Sequence, residues 1–112
     1  MIRVIYGEKG MGKTRILVDA ANKLASSSSG NVVFIDYKNQ LMHELRREIR
    51  FINTSEYPIA KPREFLGFIC GIIAQDYDIE CIFIDGLTYI LNMKADLLEQ
   101  FFNDLEEISS KF

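Results

Sequence analysis

Residues 7–14 read Gly7-Glu8-Lys9-Gly10-Met11-Gly12-Lys13-Thr14, placing three glycines, two lysines and a hydroxyl in eight positions. Gly7, Gly12, Lys13 and Thr14 satisfy the spacing G-x-x-x-x-G-K-[ST]. Such a run can hold a polyphosphate. Glycines let the backbone turn tightly and approach the phosphate oxygens, and the amides that open the next helix are unpaired donors aided by its dipole. A lysine at position 13 supplies a flexible cation for the β- and γ-phosphates. A hydroxyl at position 14 is suited to a Mg²⁺ ion bridging the same groups.

Those residues need a strand to deliver the loop and a helix to receive it. Ile2 to Tyr6 is short, apolar and β-branched, and reads as the strand. From Lys13 to about Ala25 a helix is expected, with Ile16, Leu17, Ala20, Ala21 and Leu24 at three- and four-residue spacing on its buried face. Ser26 to Gly30 is a turn of ordinary length, and Asn31 to Asp36 is a second strand, apolar on both faces. The spacing of Leu41, Leu45 and Ile49 predicts a helix over 39–48, and Arg50 to Asn53 a short strand. Pro58 and Pro62 bracket a loop before an apolar helix ending near Gln75, expected to be largely buried. Cys81-Ile82-Phe83-Ile84-Asp85 lies in a third clear strand, Glu80 to Asp85. A last helix is expected from about Lys94 to Ser109. Leu97, Leu98, Phe101, Leu105 and Ile108 form its inner face, and Glu99, Asp104, Glu106 and Glu107 its acidic outer one. Strands alternating with helices predict an α/β fold of three layers, α/β/α, on a mostly parallel sheet.

With the loop, the strand before it and the helix after it in place, the sequence resembles the P-loop NTPase superfamily. The glycine run is similar to a Walker A motif, and Gly7-x-x-Gly10-x-Gly12-Lys13-Thr14 resembles the RecA-like and AAA-like ATPases in particular. The run 81–85 is similar to a Walker B strand, and by that resemblance Asp85 would hold magnesium through water. The chain also resembles a group of small bacterial P-loop proteins sometimes labelled twitching-motility-ATPase-like. The acidic and histidine boxes of the large pilus-retraction ATPases are not found in it. The resemblance implies an ATP- and Mg²⁺-binding protein. Its nucleotide would touch Gly7, Glu8, Lys9, Gly10, Met11, Gly12, Lys13, Thr14 and Arg15, and its metal Thr14 and Asp85. The GTP-specific Asn-Lys-x-Asp is absent from the sequence, which favours ATP over GTP.

Hydrolysis is less well provided for. ATPases of this kind place a glutamate near the γ-phosphate to orient the attacking water. The position after Asp85 is Gly86, and beyond the second strand the sequence offers only Asp36 in Asp36-Tyr37-Lys38-Asn39, with Glu56 more remote. Lys13 and Asp36 are therefore the candidate catalytic residues, and Asp36 is otherwise a polar strand end. Three functions stay open: a weak or partner-activated ATPase, a nucleotide-dependent binding module without turnover, and a small-molecule kinase. The kinase reading lacks an arginine-rich lid. RecA-like cores also insert a strand between those of the P-loop and Walker B, and that strand comes after Walker B in the sequence. The preferred expectation is therefore a core lacking its C-terminal strands. The alternatives are direct pairing of the two strands, as in small kinases and GTPases, or a second subunit filling the gap.

Bulk properties set the remaining bounds. One domain over residues 1–112 is expected, with 48% hydrophobic and 26% charged residues. No apolar run reaches the ~20 residues of a membrane span, and the start reads as a strand rather than an export signal, so a cytoplasmic protein is expected. The net charge of −3 does not support general nucleic-acid binding. His43, Arg46, Arg47 and Arg50 form a basic cluster, but Glu44 and Glu48 interleave it, so it reads first as a solvated helix face with local ion pairs. Cys70 and Cys81 fall in apolar stretches and read as reduced, buried side chains. A protein partner or a homo-oligomer would find its natural interface on the apolar 62–75 helix.

Overall fold

In the computed structural model, residues 2–8, 10–91 and 98–112 are described. Strands β1 (Arg3–Gly7), β2 (Asn31–Asp36), β3 (Arg50–Asn53) and β4 (Ile79–Asp85) form one sheet in the order β1-β4-β2-β3. Every pairing is parallel. Four α-helices are present among the described residues: α1 (Met11–Ser27), α2 (Pro62–Gln75), α3 (Leu87–Leu91) and α4 (Leu98–Lys111).

Alternation along the central strands builds two cores, because successive side chains leave a strand on opposite faces. Val32 and Phe34 of β2 and Cys81 and Phe83 of β4 pack under Leu17, Val18 and Ala21 of α1. Val33, Ile35, Ile82 and Ile84 pack on the other face against Phe65, Ile69 and Ile73 of α2 and Leu98, Phe101 and Leu105 of α4. Phe34, Ile35, Ile82, Phe83 and Ile84 are all at most 1% exposed. Each is worth roughly 1.5–3 kcal/mol of transfer free energy. The sheet is thus covered by α1 on one side and by α2 and α4 on the other, with two continuously apolar central strands, as a buried parallel sheet requires.

Four expectations are corrected. The preferred picture of a gap between β1 and β4, left by a missing C-terminal strand, does not hold, because these strands pair directly from Arg3↔Cys81 to Gly7↔Asp85, as the first alternative had it. Lying against β4 lets β1 share the same covers: Val4 joins the α4 core, and Tyr6 stacks on Phe102 with ring centroids 4.7 Å apart.

On α1 the buried stripe is Leu17, Val18 and Ala21, while Ile16 is 68% exposed and Ala20 is exposed. The helix turns its face to β2 and β4, leaving Ile16 on the far side.

The helix predicted over 39–48 is only a 3₁₀ turn, Met42–Glu44. Asn22 of α1 accounts for this. Its amide nitrogen donates to the Glu44 carbonyl at 2.9 Å, and its amide oxygen accepts from the Arg46 N–H at 2.8 Å. Those backbone groups are thereby taken from a helical ladder.

The 62–75 helix is amphipathic rather than wholly buried. Phe65, Ile69 and Ile73 are its fully buried residues, and Cys70 is only half-buried. The expected start of the last helix at Lys94 and its inward Leu97 lie outside the described residues, whereas α3 was not foreseen. No helix among the described residues is long and apolar enough to cross a membrane.

Candidate functional site

The candidate residues converge at the C-terminal ends of the strands, where parallel α/β sheets offer a crevice. β1 ends at Gly7, and α1 begins at Met11 with Gly10 as its N-cap. No side chain caps this end and no acid lies in its first turn. A helix N-terminus of this kind suits an anion. None of Gly7, Gly10 and Gly12 adopts a left-handed φ; among the described glycines only Gly86 does, at 74°. A Cβ added at Gly10 or Gly12 would meet nothing within 4 Å. Packing against the described residues therefore does not require glycine at these two positions.

Behind the loop, β4 ends in Asp85, fully buried and level with Gly7. The Thr14 hydroxyl donates to its carboxylate, 3.2 Å from one oxygen and 3.4 Å from the other, and accepts from the Gly10 N–H at 3.4 Å. The turn after Asp85 is tied to the loop by the Gly86 N–H, which donates to the Gly7 carbonyl at 2.9 Å. The positive φ of Gly86 is strained for any side-chain-bearing residue, so a glutamate at this position would conflict with the turn.

Asp36 joins the same row. β2 and β4 pair through Ile35↔Ile84, so the next residues, Asp36 and Asp85, end neighbouring strands side by side. Both share the parity of Phe34 and Phe83 and belong to the α1 face. Asp36 is fully buried, and its carboxylate accepts from the Tyr37 N–H at 2.7 Å. Beyond it stands Asn53 of β3, paired with Asp36 in register and bonded through its amide to Asn39 at 3.0 Å. Thr54, also buried, donates to the Asp36 carbonyl at 3.3 Å. Gly7, Asp85, Asp36 and Asn53 thus form one polar row across all four strands.

The other candidates are placed as follows. Lys13 is exposed on the first turn of α1 and makes no hydrogen bond or ion pair among the described residues. The Arg15 guanidinium is engaged by Glu44 and, at 3.6 Å, by Asp19. Its pKa is raised chiefly by the hydrogen bond to Glu44. Lys9 lies outside the described residues, as does the side chain of Met11. Glu56 is exposed in a 3₁₀ turn beyond β3, the edge strand farthest from β1. Of the basic cluster, Arg50 opens β3 at the opposite end of the strands. Arg46 pairs with Glu48 at 2.9 Å, lowering the Glu48 pKa, while Arg47 and Arg50 line an exposed hollow of about 490 Å³ beside the start of β3.

Sequence reasoning missed Asn53, Thr54 and one further contact: Thr88 of α3 donates its hydroxyl to the carboxylate of Glu8. The polar run Asn53-Thr54-Ser55 at a strand end was a usable signal for the first two. Nothing local announces the third, whose partners are 80 positions apart. No group of three or more acids, histidines and cysteines suited to a metal exists among the described residues. The donors available at the loop are instead hard oxygens, those of Thr14, Asp85 and Asp36. No protein-family model, curated protein or solved structure matches the chain.

Proposed function

We propose that this chain is a P-loop protein that binds Mg-ATP at residues 7–14. The observation that carries the reading is the Thr14–Asp85 contact, which joins the end of the glycine loop to the acid closing the neighbouring strand. In this reading the amides of the loop and of the first α1 turn donate to the phosphates, and the uncommitted Lys13 ammonium neutralises them. Thr14 and Asp85 present hard oxygen donors of the kind that suit Mg²⁺ better than a soft metal. They would hold the ion, which would supply positive charge to offset the negative charge of the phosphates. Asp36, buried and ending the strand beside that of Asp85, is assigned the role of orienting the attacking water. Direct pairing of β1 with β4 favours the arrangement of small kinases and GTPases over the RecA-like one.

Turnover is proposed to be slow or to need a partner. The left-handed turn at Gly86 leaves no glutamate immediately after Asp85. That same observation favours a second reading, a binding module that holds ATP without hydrolysing it. Calorimetric titration with ATP, ADP and GTP in the presence of Mg²⁺, followed by phosphate-release assays on the wild type and Lys13→Ala, tests both. Heat of binding with phosphate release that disappears in Lys13→Ala supports the ATPase. Heat without release supports the module, and no heat at millimolar nucleotide removes both.

A further inference from the structure

The loop carries a carboxylate where an anion is to be held, and the structure turns it aside. Glu8, second in the loop, is half-buried, and its carboxylate accepts from the Thr88 hydroxyl on α3. α3 itself is five residues long and starts immediately after the Gly86 turn. Its opening amides are held by that turn, with Tyr89 and Ile90 both donating to the Gly86 carbonyl at 2.9 and 3.0 Å. The next side chain, Tyr89, is 61% exposed and stacks on Tyr37, centroids 5.1 Å apart. Tyr37 directly follows Asp36, and the Lys38 ammonium lies 5.0 Å from its ring centroid. One chain of contacts therefore runs from the loop through Glu8, Thr88 and Tyr89 to Tyr37 at the end of β2.

Resting on the nucleotide reading above, we infer that the Glu8–Thr88 hydrogen bond is a charge-sensitive latch through which the triphosphate loosens α3. The physical basis is Coulombic. A polyphosphate seated on the α1 amides brings several negative charges beside a carboxylate two residues from the helix N-cap, and like charges at short range in a partly desolvated site repel strongly. The repulsion grows with each added phosphate, so a triphosphate drives Glu8 outward more than a diphosphate does. Moving Glu8 breaks its bond to Thr88; Leu87, Ile90 and Leu91 anchor the inner side of α3 in the core, so the loosening falls on the outer side that carries Thr88 and Tyr89. The output is the face formed by the exposed Tyr89 and the half-buried Tyr37 beneath it. A ligand shifts such an equilibrium only by its differential affinity for the two states, and here that difference is the charge on Glu8.

The test uses the whole chain, with hydrogen exchange of the α3 amides read beside calorimetry on the same samples. Mg-ATP is expected to speed exchange at Tyr89 and Ile90 by roughly fivefold or more, with Mg-ADP doing less, a factor in the range of ordinary allosteric coupling. Thr88→Val is expected to show fast exchange without nucleotide and little further change with it. Glu8→Gln keeps an acceptor for Thr88 but loses the charge. It is expected to bind Mg-ATP more tightly than the wild type while its α3 stays protected. Heat of ATP binding with unchanged α3 exchange overturns the latch and leaves the nucleotide reading standing. Slow α3 exchange in nucleotide-free Thr88→Val overturns it too. No heat with any nucleotide removes the nucleotide reading, and the latch with it.

Discussion

The hydroxyl of Thr14 donates to the carboxylate of Asp85 at 3.2 Å, joining the first turn of α1 to the last residue of β4 across 71 positions of sequence. Asp85 is fully buried, and a buried carboxylate is tolerated where hydrogen-bond donors or a cation compensate it. Asp85→Asn is expected to abolish the Mg²⁺ dependence of nucleotide binding while the fold is retained. Lys13→Ala is expected to weaken ATP binding by about 10- to 100-fold, the worth of one charge-assisted contact. Titrations at fixed ATP with and without Mg²⁺ check both, and an Asp85→Asn protein still bound more tightly with Mg²⁺ than without would remove the metal assignment.

Asp36 separates turnover from binding. If it orients water, Asp36→Asn leaves ATP affinity within about threefold and lowers phosphate release by roughly a hundredfold, as loss of a general base does. Equal loss of affinity and turnover would instead make Asp36 a part of the binding scaffold. The comparison needs only calorimetry and a phosphate assay on one variant.

The face of α1 is testable by stability alone. Val18, with no exposed surface, packs against β2 and β4, and Val18→Ala is expected to cost about 1–3 kcal/mol in denaturant unfolding. Ile16, 68% exposed, is expected to tolerate Ile16→Gln within about 0.5 kcal/mol. A reversed order would restore the stripe expected from periodicity.

Gly30 closes the turn before β2 in a tight place. A Cβ there would meet the Asp78 carbonyl oxygen and the Glu80 Cβ, each at 2.9 Å. Because a backbone atom is among them, Gly30→Ala is expected to destabilise by about 1–3 kcal/mol, measured as a lowered unfolding midpoint.

The two thiols differ in chemistry. Burial pushes the Cys81 thiol up from 9.0 to about 11, whereas Cys70 is half-buried on α2. A maleimide at pH 8 is expected to label Cys70 in the native protein and Cys81 only after unfolding. A raised folded pKa contributes stability that is complete below 9.0 and lost as pH climbs to about 11, since the unfolded chain gives up that proton first. Alkaline unfolding in that window is therefore expected to be eased by Cys81, and labelling of native Cys81 as fast as Cys70 would contradict its burial.

What the sequence determined by itself is local. Gly7 to Thr14 and the strand before it, the alternation of β2 and β4, the short strand 50–53 and the Pro62 helix start all follow from spacings within a few residues. Those spacings encode backbone preference and the parity of burial directly. Tertiary structure decided what depends on partners far away in the chain. Pairing of β1 with β4 rests on hydrogen bonds between segments more than seventy residues apart, and nothing local distinguishes that neighbour from another. The 39–48 stretch has helical periodicity, yet Asn22 takes the Glu44 and Arg46 backbone groups and prevents the helix. α1 carries more apolar residues than one face can bury, so Ile16 lost its place only when β2 and β4 fixed the helix orientation. The row of Asp85, Asp36 and Asn53, and the bond from Thr88 to Glu8, likewise exist only because register brings strand ends level.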